Sequence, residues 1–316
     1  MEEKYFIGVD LGGTFIKAGI VDKDGNIICD DKAETKPELG VLAIVDSVCV
    51  IVNKLIAEQK LQRSNIVGVG VGAPGLIDTK NGVAILSHNL NFNNFPLAET
   101  LSSKLNLPVK IANDANVATL AEALYGSGRG YKNVVMITLG TGVGGGAVVD
   151  GKLMQGVKGY GGEFGHTVIE YNGRQCSCGR KGCLEAYCSA TALIKQTKEQ
   201  MNKHKDSKMW HIGDINLVDG KTCFNYRESD KTANKIVEEY INYLVCGLTN
   251  IANVFRPNII VLGGGVANQK EGLYEKVNAK LKEQIFGNEI VESIKVVPAT
   301  LKNKAGILGA AALFFE

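Results

Sequence analysis

The chain opens with short apolar runs separated by glycine turns: YFIGVD, LGGT, FIKAGIVD, KDGN and IICDDKAET. Apolar runs of this length, bounded by Gly, Asn and Asp, predict strand, tight turn, strand, tight turn, strand, which is a β-meander. Residues 41–61 (VLAIVDSVCVIVNKLIAEQKL) instead carry apolar side chains at helical spacing, and IVGVGVGAPG follows as a buried strand ending in a Gly/Pro loop. A second helix is predicted near 97–105. It leads into VKIANDAN, a strand whose polar end feeds a helix over about 115–124. NVVMITLG and GGGAVVDGK then form a strand pair with a glycine-rich turn between them. Further on, EEYINYLVCGLTNIANVF has the pattern of a long amphipathic helix, IIVLGGG of a buried strand with a glycine turn, and AGILGAAALFF of a terminal helix of small residues. Residues 201–230, which contain the single tryptophan, Trp210, are polar and irregular and predict a surface excursion.

The second half begins as the first does. IGVDLGGTFIKAGIV and MITLGTGVGGGAVV both run an apolar strand into a glycine-threonine turn and return as another strand. Duplicated α/β domains facing across a cleft explain this economically. The expected division is a smaller domain over 1–113, joined by the C-terminal helix 303–316, and a larger one over 114–302.

Composition supports a globular chain. It has 316 residues, 45% hydrophobic and 22% charged, enough for two cores. Thirty-five basic and 33 acidic residues are spread along the sequence for a formal net charge of +2, so no polyanion-binding surface is advertised and nucleic acid is not an expected partner. The start, MEEKYFIGVD, is acidic where a secretory signal is basic, and no apolar run approaches the roughly 20 residues of a membrane span. A cytoplasmic protein without a membrane partner is expected. Three of the eight cysteines fall within eight residues; Cys29, Cys49, Cys188, Cys223 and Cys246 are scattered, as small core residues are in a reducing compartment.

Three glycine turns could hold phosphate, because glycine tolerates positive φ and lets an anion approach main-chain N–H groups: Gly12-Gly13-Thr14, the run Gly140 to Gly146, and Gly263-Gly264-Gly265. Each alone could be no more than a hairpin turn; three together favour phosphate. GTGVGG fits GxGxxG but leads into a strand rather than a helix, and no GK[ST] follows, so neither a Rossmann nor a Walker loop is present. Asp10, just before the first turn, is within reach of a hydrated magnesium ion.

His166, Cys176, Cys178 and Cys183 supply one imidazole and three thiolates, a closed tetrahedral set suited to structural zinc and leaving no position for a metal-activated water. A redox pair is the alternative. Gly179 and Gly182 fit a tight knuckle around the ion. Glu163 and Glu185 flank the cluster; carboxylates held there could accept hydrogen bonds from vicinal hydroxyls, as sugar recognition demands, and His166 could offer its second ring nitrogen to the ligand. Asp114, at a strand end before a helix, is the candidate base for phosphoryl transfer, although Asn113 or Asp114 could equally be the cap of that helix.

In chain order, DLGGTFIKAGIV, GVGAPG, NDAN, LGTGVGGG, GEFGH, CSCGRKGCLEAY and LGGGV resemble the ROK family (repressors, open reading frames, kinases) over nearly the full length. The most specific motif, C-x-C-G-x-x-G-C-x-E, is met at 176–185. The resemblance implies the two-domain actin-like ATPase (ribonuclease H-like) α/β fold with an interdomain cleft. It implies that Asp114 takes the proton from a sugar 6-hydroxyl, and that Gly72, Asn113, Glu163, His166 and Glu185 bind the sugar. It also implies ATP sites at Asp10, Gly12, Gly13, Thr14 and Lys17, at Thr138, Gly140, Thr141 and Gly142, and at Gly263, Gly264 and Gly265, with magnesium at Asp10 and zinc at His166, Cys176, Cys178 and Cys183. A lysine on a strand, such as Lys17, is also commonly a solvated charge. The family's repressors carry a helix-turn-helix ahead of the first strand, and only a few residues precede it here. The run GCLEAYCSATAL resembles the glucokinase branch, while N-acetylmannosamine, N-acetylglucosamine, fructose and allose kinases share the other motifs. The expectation is an ATP-dependent hexose 6-kinase, most like glucokinase, assembled as a homodimer or homotetramer; a sugar sensor without catalysis is the reading from another class.

Overall fold

The computed structural model describes residues 3–269, 272–287, 289–290 and 292–315. The chain divides into two compact units, one of Met1–Lys132, Gly146–Gly162 and Thr300–Glu316, the other of Asn133–Gly145 and Glu163–Ala299.

In the first unit the predicted meander is β1 (Tyr5–Leu11), β2 (Phe15–Asp22) and β3 (Ile27–Glu34). Helix α1 (Val41–Glu58) buries Ile44, Val48, Ile51, Val52 and Leu55, the stripe its sequence spacing gives. Then come β4 (Ile66–Ala73), three short strands β5 (Leu76–Asp78), β6 (Val83–Ser87) and β7 (Phe92–Phe95), α2 (Leu97–Leu105), β8 (Val109–Asn113) and α3 (Asp114–Tyr125). The main sheet runs β3-β2-β1-β4-β8, with β1 parallel to β4 and β4 to β8, while β5, β6 and β7 form a small sheet of their own.

The rest of the chain supplies β9 (Val134–Leu139), β10 (Val143–Val149), β11 (Lys152–Leu153), α4 (Glu185–Cys188), α5 (Ala190–Lys203), α6 (Thr222–Tyr226), α7 (Lys231–Phe255), β12 (Ile259–Gly263), α8 (Leu273–Gln284), β13 (Lys295–Pro298) and α9 (Ala305–Ala312). Its sheet runs β11-β10-β9-β12-β13, with β12 parallel to both β9 and β13. Within each sheet the order is third, second, first, fourth, fifth strand. The repeat legible in the two glycine-threonine hairpins therefore extends to the topology of both sheets, as an actin-like ATPase fold requires.

Two details depart from the sequence pattern. The division expected at 113/114 differs from the compact units, in which α3 clusters with the first: Val117 and Leu120 pack with Ala112, Ala312 and Leu313. Segment 201–230 is not a loose excursion. Met209, Cys223 and Phe224 are buried, the Trp210 indole N–H donates to the Met201 carbonyl at 3.0 Å, and the Asp230 carboxylate accepts from the Ser207 hydroxyl at 2.9 Å. Asp230 also caps α7 through Ala233 N–H at 2.7 Å, which starts that helix at Lys231 rather than at Glu238.

The small residues of α9 have a definite cause. A Cβ on Gly8 would lie 1.9 Å from the Ile307 carbonyl oxygen, one on Gly70 1.8 Å from that of Ala310, and one on Gly309 1.7 Å from that of Val117. The helix lies directly on β1 and β4 and against α3, at a separation no side chain could occupy. Glu122, fully buried, fastens the start of this segment by accepting from the main-chain N–H groups of Thr300 (2.9 Å) and Leu301 (2.8 Å).

Candidate functional site

In the first unit, the ends of three parallel neighbours carry the candidate residues. Asp10 is in register with Gly72, and Ala73 with Asn113, so β1, β4 and β8 deliver Asp10, Gly72 and Asn113 to the same edge. Ligands of open parallel sheets bind at that carboxyl edge. Gly72 has no room for a side chain, since its Cβ would meet Val117 Cγ2 at 2.5 Å. Asp10 is packed against Gly306 of α9, whose Cβ would lie 2.5 Å from the Asp10 carboxyl carbon, and its Oδ2 pairs with Lys17 Nζ at 3.3 Å. Lys17 is the cross-strand partner of Asp10, so it is part of this edge and not only a solvated charge. In the first glycine turn the Gly12 N–H donates to the Phe15 carbonyl at 3.0 Å, and Thr35 holds both the Gly12 carbonyl (Oγ1, 2.7 Å) and the Thr14 carbonyl (N, 3.0 Å).

The choice between Asn113 and Asp114 as helix cap is resolved. Asn113 has extended backbone and its Oδ1 accepts from Ala115 N (2.9 Å) and Asn116 N (3.2 Å), while its Nδ2 donates to the Gly75 carbonyl at 3.0 Å. Capping is thereby done by Asn113, and Asp114 is the first helical residue with an exposed carboxylate at the positive end of the helix. Asn113 keeps one amide hydrogen for another partner.

In the second unit, the second and third glycine turns lie side by side because Thr138 on β9 is in register with Gly263 on β12. Of the glycines singled out in the three turns only Gly264 has positive φ, 89°, with its Cβ position 2.4 Å from the Leu139 carbonyl oxygen. Positive φ is therefore the exception; at Gly142 the requirement is space, as a Cβ there would come within 2.5 Å of Glu185 Oε2. The start of α5 is tied to the turn: Ala190 N–H donates to the Gly140 carbonyl and Thr191 Oγ1 to that of Thr141, both at 2.8 Å, and Ser189 caps the helix through Ala192 N.

The ligand atoms of His166, Cys176, Cys178 and Cys183 all lie within 4.8 Å of one another. Cys178 and Cys183 sulfurs are 3.7 Å apart, and His166 Nδ1 is 3.7 Å from Cys176 Sγ. The edge of a tetrahedron with Zn–S bonds of about 2.3 Å is about 3.8 Å, so the donor set fits a zinc ion. The knuckle that carries the three cysteines turns at Gly179 (φ 89°) and Gly182 (φ 81°), where a Cβ on Gly182 would be 1.7 Å from the Glu170 carbonyl oxygen. Burial pushes the Cys183 thiol up to about 12, whereas the Arg180 main-chain N–H lowers that of Cys178. Glu163 is exposed at the start of the short turn that carries His166.

Glu185 opens α4, but both of its oxygens are engaged: Oε1 accepts from Ser177 Oγ at 2.8 Å and Oε2 from Val143 N–H at 3.0 Å. Thr141, Gly142 and Glu185 line a cavity of about 700 Å³ that also receives Arg174 and Lys195. The Arg174 guanidinium stacks over Tyr187 at 4.8 Å from the ring centre. Ser177, Arg174, Thr191 and Lys195 were not singled out from the sequence. Thr191 belongs to Ser189-Ala190-Thr191 within GCLEAYCSATAL, the run that resembles the glucokinase branch, and that run is its signal in the sequence; the others have none without the fold.

Repeated five-stranded sheets, glycine turns at their strand ends and a Cys3His knuckle define an α/β ATPase of the actin-like class. Residues 6–316 match the ROK family model, and the chain belongs to the ROK family. It is 36% identical to a glucokinase of Thermotoga maritima, over 100% of this chain and 99% of that protein. Among solved structures it is similar to a ROK family glucokinase from Streptomyces griseus in complex with glucose and AMPPNP, with a TM-score of 0.80, 33% identity and 98% of each chain covered. It is also similar to the ROK hexokinase of Thermus thermophilus, with a TM-score of 0.84 and 31% identity over 97% of this chain and 96% of that one.

Proposed function

We propose that the protein transfers the terminal phosphoryl group of ATP to the 6-hydroxyl of glucose. The observation that carries this reading is end-to-end similarity to glucokinases, from Thermotoga maritima to the Streptomyces griseus enzyme bound to glucose and AMPPNP. The position of Asp114 supports it: Asn113 fills the cap, and the Asp114 carboxylate, which accepts from the Ala115 N–H at 2.8 Å, is exposed at the first turn of the helix that follows β8.

Asp114 accepts the proton of the 6-hydroxyl as that oxygen attacks phosphorus, and the displaced ADP leaves on the opposite side. Gly72, Asn113, Glu163, His166 and Glu185 orient the sugar, with the remaining Asn113 amide hydrogen donating to a hydroxyl. Main-chain N–H groups of the turns at Gly12-Gly13-Thr14 and Gly140-Thr141-Gly142 hold phosphate oxygens, helped by Lys17 and Thr138, and Gly263, Gly264 and Gly265 flank the adenosine. Asp10 would hold magnesium, which when bound neutralises phosphate charge. Zinc on His166, Cys176, Cys178 and Cys183 would be structural, since the four protein ligands complete its coordination. Among the described residues no helix is long and apolar enough to cross a membrane; a cytoplasmic homodimer or homotetramer accords with the family resemblance.

The test is ADP release by the zinc-loaded protein with magnesium-ATP against glucose, mannose, fructose, N-acetylglucosamine and N-acetylmannosamine. Glucose is expected to give the highest kcat/KM. Turnover confined to an acetamido sugar would replace the substrate, and no turnover on any sugar would overturn the kinase reading.

A further inference from the structure

A second cavity, of about 610 Å³, is lined only by residues of the first unit, and no residue of the glycine turns is among them. Three lysines reach it, Lys80, Lys110 and Lys158, and no carboxylate is among its lining residues. Thr79, Asn81 and Gln155 add neutral hydrogen-bonding groups, over an apolar floor that includes Ile111 and Leu313.

Lysines at a surface ordinarily swing in water or pair with an acid. Two of these are held in place, one of them by neutral groups alone. Lys110 Nζ donates to the Leu313 carbonyl at 2.7 Å and sits 4.9 Å from the centre of the Phe314 ring, so its ammonium is oriented by neutral groups. Lys158 has left-handed backbone (φ 59°), a conformation that is costly for a side-chain-bearing residue and persists only where its surroundings enforce it. The enforcement is visible: the Lys158 carbonyl accepts from Thr79 N–H at 2.8 Å, and Lys158 Nζ is 3.4 Å from Asp78 Oδ2. Asp78 is buried and is itself held by Asn81 N (3.0 Å) and Nδ2 (2.9 Å). Lys80 has no ion pair among the described residues. One buried carboxylate, Asp78, pairs with one of the three ammonium groups, which leaves an excess of two positive charges over a concave, partly apolar surface.

We propose that this cavity is an anion site for a small phosphorylated molecule, separate from the phosphoryl-transfer site. Lys80 and Lys110 meet the phosphate oxygens, Lys158 is positioned by Asp78, and the apolar floor receives the organic part of the ligand.

Pyrophosphate is the probe, titrated calorimetrically into the full-length protein with a non-hydrolysable ATP analogue and glucose present to occupy the transfer site. Comparison of variants reads this cavity whether or not those two ligands bind. In Lys80→Gln/Lys110→Met the pyrophosphate affinity is expected to fall by about 10-fold or more, and in the parent protein it should weaken as salt is raised. Lys80→Gln alone, at an exposed position, is expected to weaken binding about 3-fold and keeps the test valid if Lys110→Met disturbs the fold. Melting temperature, kcat and KM for ATP should stay unchanged in Lys80→Gln. Absence of binding to the parent protein, or equal affinity in parent and both variants, would overturn the proposal.

Discussion

The main-chain N–H of Val143 donates to Glu185 Oε2 at 3.0 Å, while the other oxygen of the same carboxylate accepts from Ser177 at 2.8 Å. One side chain therefore joins the glycine turn that begins β10 to the cysteine knuckle. The cysteine knuckle is thereby tied to that glycine turn, and Glu185 is the link. Glu185→Met removes both acceptor oxygens, so neither the Val143 N–H nor the Ser177 hydroxyl keeps this partner. The expected result is a rise of about 10-fold in KM for ATP together with that for sugar, equivalent to about 1.4 kcal/mol, with zinc content unchanged. Steady-state kinetics with each substrate varied separately checks this; a change confined to the sugar would show that the turn does not depend on the carboxylate.

Asp114→Asn should leave the helix cap intact, because Asn113 does the capping. A fall in kcat of about 10²- to 10⁴-fold is expected, with glucose affinity by calorimetry within about twofold of the parent. If glucose binding were lost in step with turnover, Asp114 would be a binding group rather than the base.

The Cys3His set predicts about one zinc per chain and none in Cys183→Ser, whose replaced thiol is fully buried. Elemental analysis and thermal melts test both points. Chelation should lower the melting temperature, because binding energy at a structural site contributes to folding. Retention of stoichiometric zinc by Cys183→Ser would refute the ligand set.

Asp230 gives stability a defined pH dependence. Burial opposes its ionisation, but hydrogen bonds from the main-chain N–H groups of Ala233 and Lys208 and from the Ser207 hydroxyl outweigh it, so its carboxyl lies below the usual 3.8. A folded-state value below the unfolded one contributes stability that is present above the unfolded value and disappears as pH falls through the folded one. Urea midpoints should be flat with respect to this group above about pH 5 and decline in the acid limb. Asp230→Asn should lower the midpoint at neutral pH and make the acid limb shallower; an unchanged limb would exclude Asp230 from it.

Much of this protein follows from local sequence. The hairpins at LGGT and LGTG, the stripe of α1 and the Cys3His cluster are legible because period, turn residues and residue spacing act over a few residues. Helix α5 is harder to see, since its buried face includes Gln196 and Thr197 and lacks an apolar stripe. The polar 201–230 segment misleads for a related reason: the Asp230 carboxylate and the Trp210 indole fasten it by hydrogen bonds, which leave no hydrophobic period.

What only the tertiary structure decides are relationships between distant residues. Sequence alone leaves Asn113 and Asp114 as rival caps, and the side-chain geometry assigns the cap to Asn113. Sequence shows α9 as a helix of small residues without saying why. The reason is close approach between segments far apart along the chain: the Ile307 and Ala310 carbonyl oxygens of α9 lie within 2 Å of where Cβ atoms of Gly8 and Gly70 would stand, and the Val117 carbonyl oxygen within 2 Å of a Cβ on Gly309. In the same way nothing in the spacing of Val143, Ser177 and Glu185 announces that they share one carboxylate. Local composition fixes which element forms, but the packing of elements against one another determines which polar atoms meet, and here those meetings build the site.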